Sequence, residues 1–135
     1  MKALTIRQPW LDAIVYGTKR IENRSRPVPA AYTGTTILLH ASKTGDRRAV
    51  LNGIHPHHDE RGVILATATI TDSHPDGDDC IPNCSFWGQP ELHHWQLADV
   101  TPLPMPVPTK GALGFWTPPP AVLAAVHEQL GAVAR

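Results

Sequence analysis

Gly62-Val63-Ile64-Leu65-Ala66-Thr67-Ala68-Thr69-Ile70-Thr71 is the stretch on which the fold turns. Side chains alternate across an extended chain, so Ile64, Ala66, Ala68 and Ile70 are expected on one face. Val63, Leu65, Thr67 and Thr69 then take the other. The small alanines on the first face suit the crowded interior of a small barrel. Shorter β-forming runs flank this strand: Ala3 to Ile6, Lys19 to Ser25, Thr35 to His40, His94 to Val100, and Phe115-Trp116. The pattern predicts about five or six strands with flanking helices, a mainly β, α+β fold built as a small barrel.

Helical spacing appears in three places. Pro9 suits a first helical turn, and Trp10, Ala13, Ile14 and Gly17 follow at helical intervals before the glycine ends the run. Thr44 is placed to cap a short helix from Gly45 to Leu51, with Arg47 and Arg48 exposed and Val50 and Leu51 buried. From about residue 118 to 133 the chain is Ala-rich, and Val122, Val126, Leu130 and Val133 form one apolar stripe. Polar, turn-rich segments at 53–61 and 73–89 read as loops. Prolines cluster at 27–29, 102–108 and 118–120, where they mark rim turns and edges rather than central strands.

With 135 residues and neither an apolar membrane span nor a leader pattern, the sequence reads as a single cytoplasmic domain with no membrane association. Formal net charge is zero, which excludes a protein that coats nucleic acid by bulk attraction. The charges are unevenly distributed, however. Residues 1–50 hold nine Lys/Arg against three Asp/Glu, and residues 51–135 hold three against nine. One basic face on a neutral protein is the resulting expectation.

Gly17-Thr18-Lys19-Arg20-Ile21-Glu22-Asn23-Arg24 concentrates that charge. On a regular strand Lys19 would share a face with Ile21 and Asn23, opposite Arg20, Glu22 and Arg24. A curl or bulge after Gly17 would instead swing Lys19 round to Glu22. In both geometries Glu22 lies among cations, and a carboxylate there orients a guanidinium toward phosphate or a base. A solvated edge strand with a salt-bridge ladder is the plainer alternative.

Leu4-Thr5-Ile6-Arg7-Gln8-Pro9-Trp10, the G-x-K-x-x-E-x-R run at 17–24, and Leu38-Leu39-His40-Ala41-Ser42-Lys43 together resemble the ASCH domain family. A weaker likeness returns at Lys110 to Trp116. The resemblance implies the PUA-like β-barrel of several RNA-binding modules. It also implies a cleft between that barrel and the helix after its first strand. Gln8, Trp10, Lys19, Glu22, Arg24, Ser42 and Lys43 are the candidate ligand-binding residues. Lys and Arg would hold phosphates, while Trp10 or Tyr32 would stack a base of single-stranded RNA or of a nucleotide or nucleoside. Core packing is the competing role for Trp10.

Hydrolysis is the alternative function. Some small bacterial proteins of the wider family resemble amidohydrolases that deacylate a modified cytidine with a lysine, a threonine and a glutamate. Lys19 matches that lysine, but Glu22 stands where the threonine would be, so the nucleophile is missing from its expected place. The family also includes a proposed ribonuclease activity. Lys19 and Glu22 would then be the catalytic pair, Glu22 as general base and Lys19, with Arg24, as cation, with His40 a further base. A protein-interaction adaptor is the third function, using the stripe on residues 122–133 to dock a protein partner.

His55-Pro56-His57-His58-Asp59, Cys80-x-x-x-Cys84 and His93-His94 supply many nitrogen and sulfur ligands. Cys-x3-Cys falls within zinc-site spacing. No second cysteine pair or ordered His-x3-His accompanies it, so these segments read as histidine-rich polar loops. No metal and no cofactor are expected.

Overall fold

Val63–Pro75, the strand built on the opening stretch, lies in the middle of the molecule, hydrogen-bonded on both sides. The structure is a computed structural model that describes residues 1–77, 80, 84 and 86–134, with the side chains of 132–134 outside the description. In chain order the elements are β1 (Ala3–Ile6), α1 (Trp10–Val15), β2 (Ile21–Arg24), a 3-10 turn at Ala30–Tyr32, β3 (Thr36–Ala41) and α2 (Arg47–Leu51). There follow β4 (Val63–Pro75), β5 (His93–Pro108), β6 (Phe115–Trp116) and α3 (Pro120–Ala134). The expected mainly β, α+β architecture is present. Among the described residues no helix is long and apolar enough to cross a membrane.

All six strands form one sheet in the order β2-β5-β4-β3-β1-β6, with β1 parallel to β3 and the other neighbours antiparallel. Among the described residues the backbone ladder is not closed, and β2 and β6 are its edges, so the α+β sheet stands without the expected barrel closure. The cause is local, because β6 has only two residues, both paired to β1, between Gly114 and the prolines that begin at Pro118. Side chains bridge the gap instead. Arg24 Nη2 on β2 donates to the Thr5 carbonyl on β1 at 3.1 Å, and Trp95 of β5 stacks on Phe115 of β6 with ring centroids 5.7 Å apart. The sheet is curled although unclosed.

A β-bulge revises the expected faces of β4. The β3–β4 register steps from Leu39↔Ala66 to His40↔Ile64, leaving Leu65 as the extra residue. Ile64 therefore faces Ala3, Leu38, Leu103, Val107 and Val126, in a core closed by α3. Leu65, Ala66, Ala68 and Ile70 join Leu4, Ile6, Leu11, Ile14, Leu39, Trp95 and Leu97 in the larger core under α1. Each buried Leu or Ile contributes about 1.5–3 kcal/mol, so two cores on opposite faces hold β4 firmly. That rigidity passes to its neighbours.

The proline run at 102–108 lies within β5, on an edge rather than in a rim turn. Pro102, Pro104, Pro106 and Pro108 recur every second residue, so their missing N–H groups share one side of the strand. Among the described residues β2 pairs with residues 93–96, and no strand neighbours that side of residues 102–108. Asp99, at φ 52°, is the extra residue where the ladder passes from Thr69↔Ala98 to Thr67↔Thr101.

The α2 helix starts later than its expected Thr44 cap. Asp46 caps it, accepting from the backbone N–H groups of Arg48 and Ala49. Ala49 is its buried residue, whereas Val50 and Leu51 are exposed, at 37% and 83%, contrary to expectation. On α3 the stripe packs against the sheet: Val126 is fully buried, and Val122 and Leu130 lie against the same core. Gln129 adds a two-way hydrogen bond to the Met105 backbone. The side chain of Val133, the last member of the stripe, lies outside the described residues.

Candidate nucleic-acid interface

Arg20 begins the construction of the site by turning away from it. Its guanidinium donates to the carbonyls of Ile14, Gly17 and Lys19, at 2.9, 3.3 and 3.0 Å, and so caps the C-terminal end of α1. Gly17 permits this close turn, since a Cβ there would lie 2.7 Å from the Ala13 carbonyl oxygen. The chain then enters β2 only at Ile21, not at Lys19, and that late start releases Lys19 from strand alternation. Lys19 folds inward, and its ammonium donates to the Ile21 carbonyl.

Lys19, Glu22 and Arg24 line one cleft of about 820 Å³ together with Trp10, Ser42 and Trp87. Lys19 is only 2% exposed. Its Nζ lies 6.0 Å from the Trp10 ring centroid and 5.8 Å from that of Trp87, between two aromatic faces. Burial pushes its pKa below the ordinary lysine value, with Glu22 acting in the opposite sense and Arg24 adding to the depression.

Glu22, 7% exposed, accepts from Arg24 through Oε2, with Nε and Nη2 each at 2.8 Å. Arg24 also lies over the Trp95 ring at 5.8 Å. Two hydrogen bonds, the Thr5 carbonyl and an aromatic face thus fix the guanidinium plane. Asn23, between them, donates to the Trp87 carbonyl at 2.9 Å and accepts from the Gln89 N–H at 2.8 Å. One strand therefore positions the cations and ties down the opposite wall. Trp10 is held in turn by its indole N–H, which donates to Asp46 Oδ2 at 2.9 Å and lowers that carboxyl's pKa.

Of the seven residues expected at the site, Trp10, Lys19, Glu22, Arg24 and Ser42 line the cleft. Gln8 and Lys43 stand apart. Gln8 is buried, exchanging hydrogen bonds with Asp12 at 2.9 Å in both directions and donating to the Glu60 carbonyl. That clamp fixes the start of α1. Lys43 is exposed, and its carbonyl accepts from Arg61. Tyr32 packs on Phe115 in the core. His40 is buried between Thr5 and the Thr109 carbonyl, and burial lowers its pKa, so it is a neutral internal residue.

Phe86, Trp87 and Leu113 were not legible as site residues, yet all three line the cleft. Phe86 and Leu113 are 81% and 98% exposed. The available signal was aromatic and aliphatic residues inside otherwise polar, glycine-rich loops. Leu113 belongs to the late segment at 110–116, so that weaker likeness corresponds to the rim.

Among the described residues one group has the make-up to hold a metal ion: His74, Cys80, Cys84 and His94. This departs from the reading of these segments as unrelated polar loops. His74, in a segment whose composition reads as loop, belongs to β4, while the expected 73–89 loop falls partly outside the described residues.

In comparison with known proteins, the family model for the ASCH domain matches residues 4–100. No curated protein matches the chain in a sequence search.

Proposed function

The chain belongs to the ASCH domain family, within the PUA-like superfamily, and on that footing we propose that it binds single-stranded RNA, or a nucleotide, in the cleft around Lys19. The observation that carries this reading is the convergence of Lys19, Glu22 and Arg24 with Trp10 and Trp87. Fixed cations meet phosphate, and aromatic faces meet bases. Glu22 orients Arg24 rather than reacting. The curled sheet serves as a PUA-like barrel whose last seam is made by side chains, and the protein works in the cytoplasm.

Fluorescence-anisotropy titration of labelled single-stranded RNA tests this reading. Wild type should bind, and Lys19→Ala and Arg24→Ala should each weaken binding across sequences. A charge-assisted contact is worth about 1.5–3 kcal/mol, so each loss should be roughly ten- to a hundredfold. Unchanged affinity in both variants would contradict it.

Hydrolysis of an RNA phosphodiester or an acylated nucleoside is the second reading. The specific support is Lys19, a lysine of lowered pKa beside Glu22, with the hydroxyls of Ser42 and Thr44 lining the same cleft. The adaptor reading loses its basis, because the α3 stripe is occupied by the sheet over its described length.

A further inference from the structure

We propose that His74, Cys80, Cys84 and His94 form a structural zinc site that fastens the Trp87 wall of the cleft to the sheet. The four ligand atoms lie within 4.8 Å of one another. Zinc bonds of about 2.3 Å to sulfur and 2.0–2.1 Å to nitrogen give a tetrahedron with edges of roughly 3.5 Å, so four such atoms need only small adjustments to enclose the ion. Cys84 Sγ is 3.1 Å from His74 Nε2, and Cys80 Sγ is 3.1 Å from His94 Nδ1. Both cysteines are free, buried thiols.

Topology delivers the ligands. His74 and His94 are direct cross-strand partners on β4 and β5. Cys80 and Cys84 come from the connection between these strands, where the Cys84 N–H donates to the Cys80 carbonyl at 2.7 Å. Gly88 then passes so close that a Cβ would lie 2.6 Å from His94 Cε1 and 2.7 Å from the Cys84 carbonyl oxygen. Only glycine fits against the cluster.

The outer contacts favour a metal over two isolated thiol–imidazole hydrogen bonds. His74 Nδ1 is 2.6 Å from Asp72 Oδ2, and His94 Nε2 is 2.7 Å from the Gln89 carbonyl. These acceptors place the ring protons on the outer nitrogens. The inner nitrogens, His74 Nε2 and His94 Nδ1, keep their lone pairs directed at the sulfurs. A carboxylate or carbonyl behind each histidine is the arrangement that orients histidine ligands of metals. Uptake of Zn²⁺ releases two thiol protons to solvent, so the filled site is formally neutral and suits burial. Four protein ligands leave no open position for substrate, hence a structural role. Trp87 packs directly on Ile21, Cys80 and Cys84, which links the site to the cleft.

The test begins with elemental analysis of the intact purified chain. About one zinc per chain is expected. Protein from cobalt-supplemented cells should show the intense visible bands of tetrahedral Co²⁺ and a thiolate-to-cobalt charge-transfer band. The Cys80→Ser/Cys84→Ser double variant should lose that band and at least nine-tenths of the metal, whereas a His55→Ala/His57→Ala variant should keep both. The wild-type spectra stand even where the cysteine variant fails to fold. Absence of zinc together with absence of the thiolate–cobalt band overturns the proposal. So does a Cys80–Cys84 disulfide whose reduction leaves the chain unable to take up either metal. These readouts do not use RNA, so their failure is distinguishable from failure of the binding reading.

Discussion

Arg24 is held by Glu22 through Nε and Nη2, both 2.8 Å from Oε2, while the same Nη2 reaches across to Thr5 O at 3.1 Å. The pair therefore joins the first edge strand to β1 and aims a cation into the cleft at once. Glu22→Gln keeps the shape and one acceptor but removes the charge. RNA affinity should stay similar or rise, because a negative charge leaves a phosphate-binding site. A hydrolase would instead lose turnover about a hundredfold or more while still binding. Product formation from acylated nucleosides and single-stranded RNA, followed beside binding for both proteins, separates the two. Binding without turnover is expected, and Glu22-dependent product would overturn it.

Salt dependence tests whether the cleft engages phosphates and how many. Net charge is zero, so a local cluster must supply the attraction. Neutralising three or four phosphates gives a slope of log affinity against log salt of about −2 to −3 for single-stranded RNA. Affinity that is flat from low to high salt would contradict phosphate contact.

Trp87 is proposed to stack a base and, unlike Trp10, does not hold Asp46, although it also packs on Ile21, Cys80 and Cys84. Trp87→Ala should cost about 1–3 kcal/mol of binding, the worth of one stacked base, and Trp87→Phe should recover most of it. Anisotropy titrations of the three proteins give the comparison. Equal affinity in all three would remove Trp87 from the interface.

Much of this site was legible at 17–24 because a glycine, alternating charges and a short spacing are local features. The role of Lys19 depended on where β2 begins, which is set by the Arg20 cap on α1 and not by strand alternation. The face of Ile64 is not legible locally, because the bulge at Leu65 has no mark in an unbroken apolar run. Trp87 and Leu113 reach the cleft from segments far apart in sequence, through contacts such as Asn23 to the Trp87 carbonyl. His74 was hidden because Asp72-Ser73-His74-Pro75 has loop-like composition although β5 holds it in the sheet.

The pH dependence of binding follows from Lys19. Only its ammonium form attracts phosphate, and its pKa is lowered, chiefly by burial. Affinity should therefore begin to fall as pH rises through that lowered value, before an ordinary lysine would discharge. Lys19→Arg should flatten the alkaline limb. For stability the sign is opposite: between the lowered folded value and the ordinary unfolded one the unfolded chain binds more protons. The lysine's contribution to stability rises with pH there and is lost as pH falls through the folded value. Binding and thermal melts across the alkaline range check both senses.

Asp46 links α2 to the cleft by capping Arg48 and Ala49 and accepting from Trp10. Asp46→Ala should lower stability by about 0.5–2 kcal/mol, the range for a lost helix cap. The carboxyl's pKa is depressed, so its contribution is present above the ordinary aspartate value and lost as pH falls through the lower folded value. Thermal melts of wild type and variant should converge in acid; a constant gap would exclude this linkage.

The indole N–H signals of the four tryptophans offer the most direct test of the cleft itself. Trp10 and Trp87 line it, whereas the Trp116 indole donates to Thr5 Oγ1 at 3.0 Å and lies outside it. Two-dimensional ¹⁵N–¹H spectra, assigned with single Trp→Phe variants, would be recorded as single-stranded RNA is added. Saturable shifts of the Trp10 and Trp87 signals are expected, with Trp116 nearly still, and those shifts should be lost in Lys19→Ala. Saturable RNA binding that leaves Trp10 and Trp87 unmoved would contradict it.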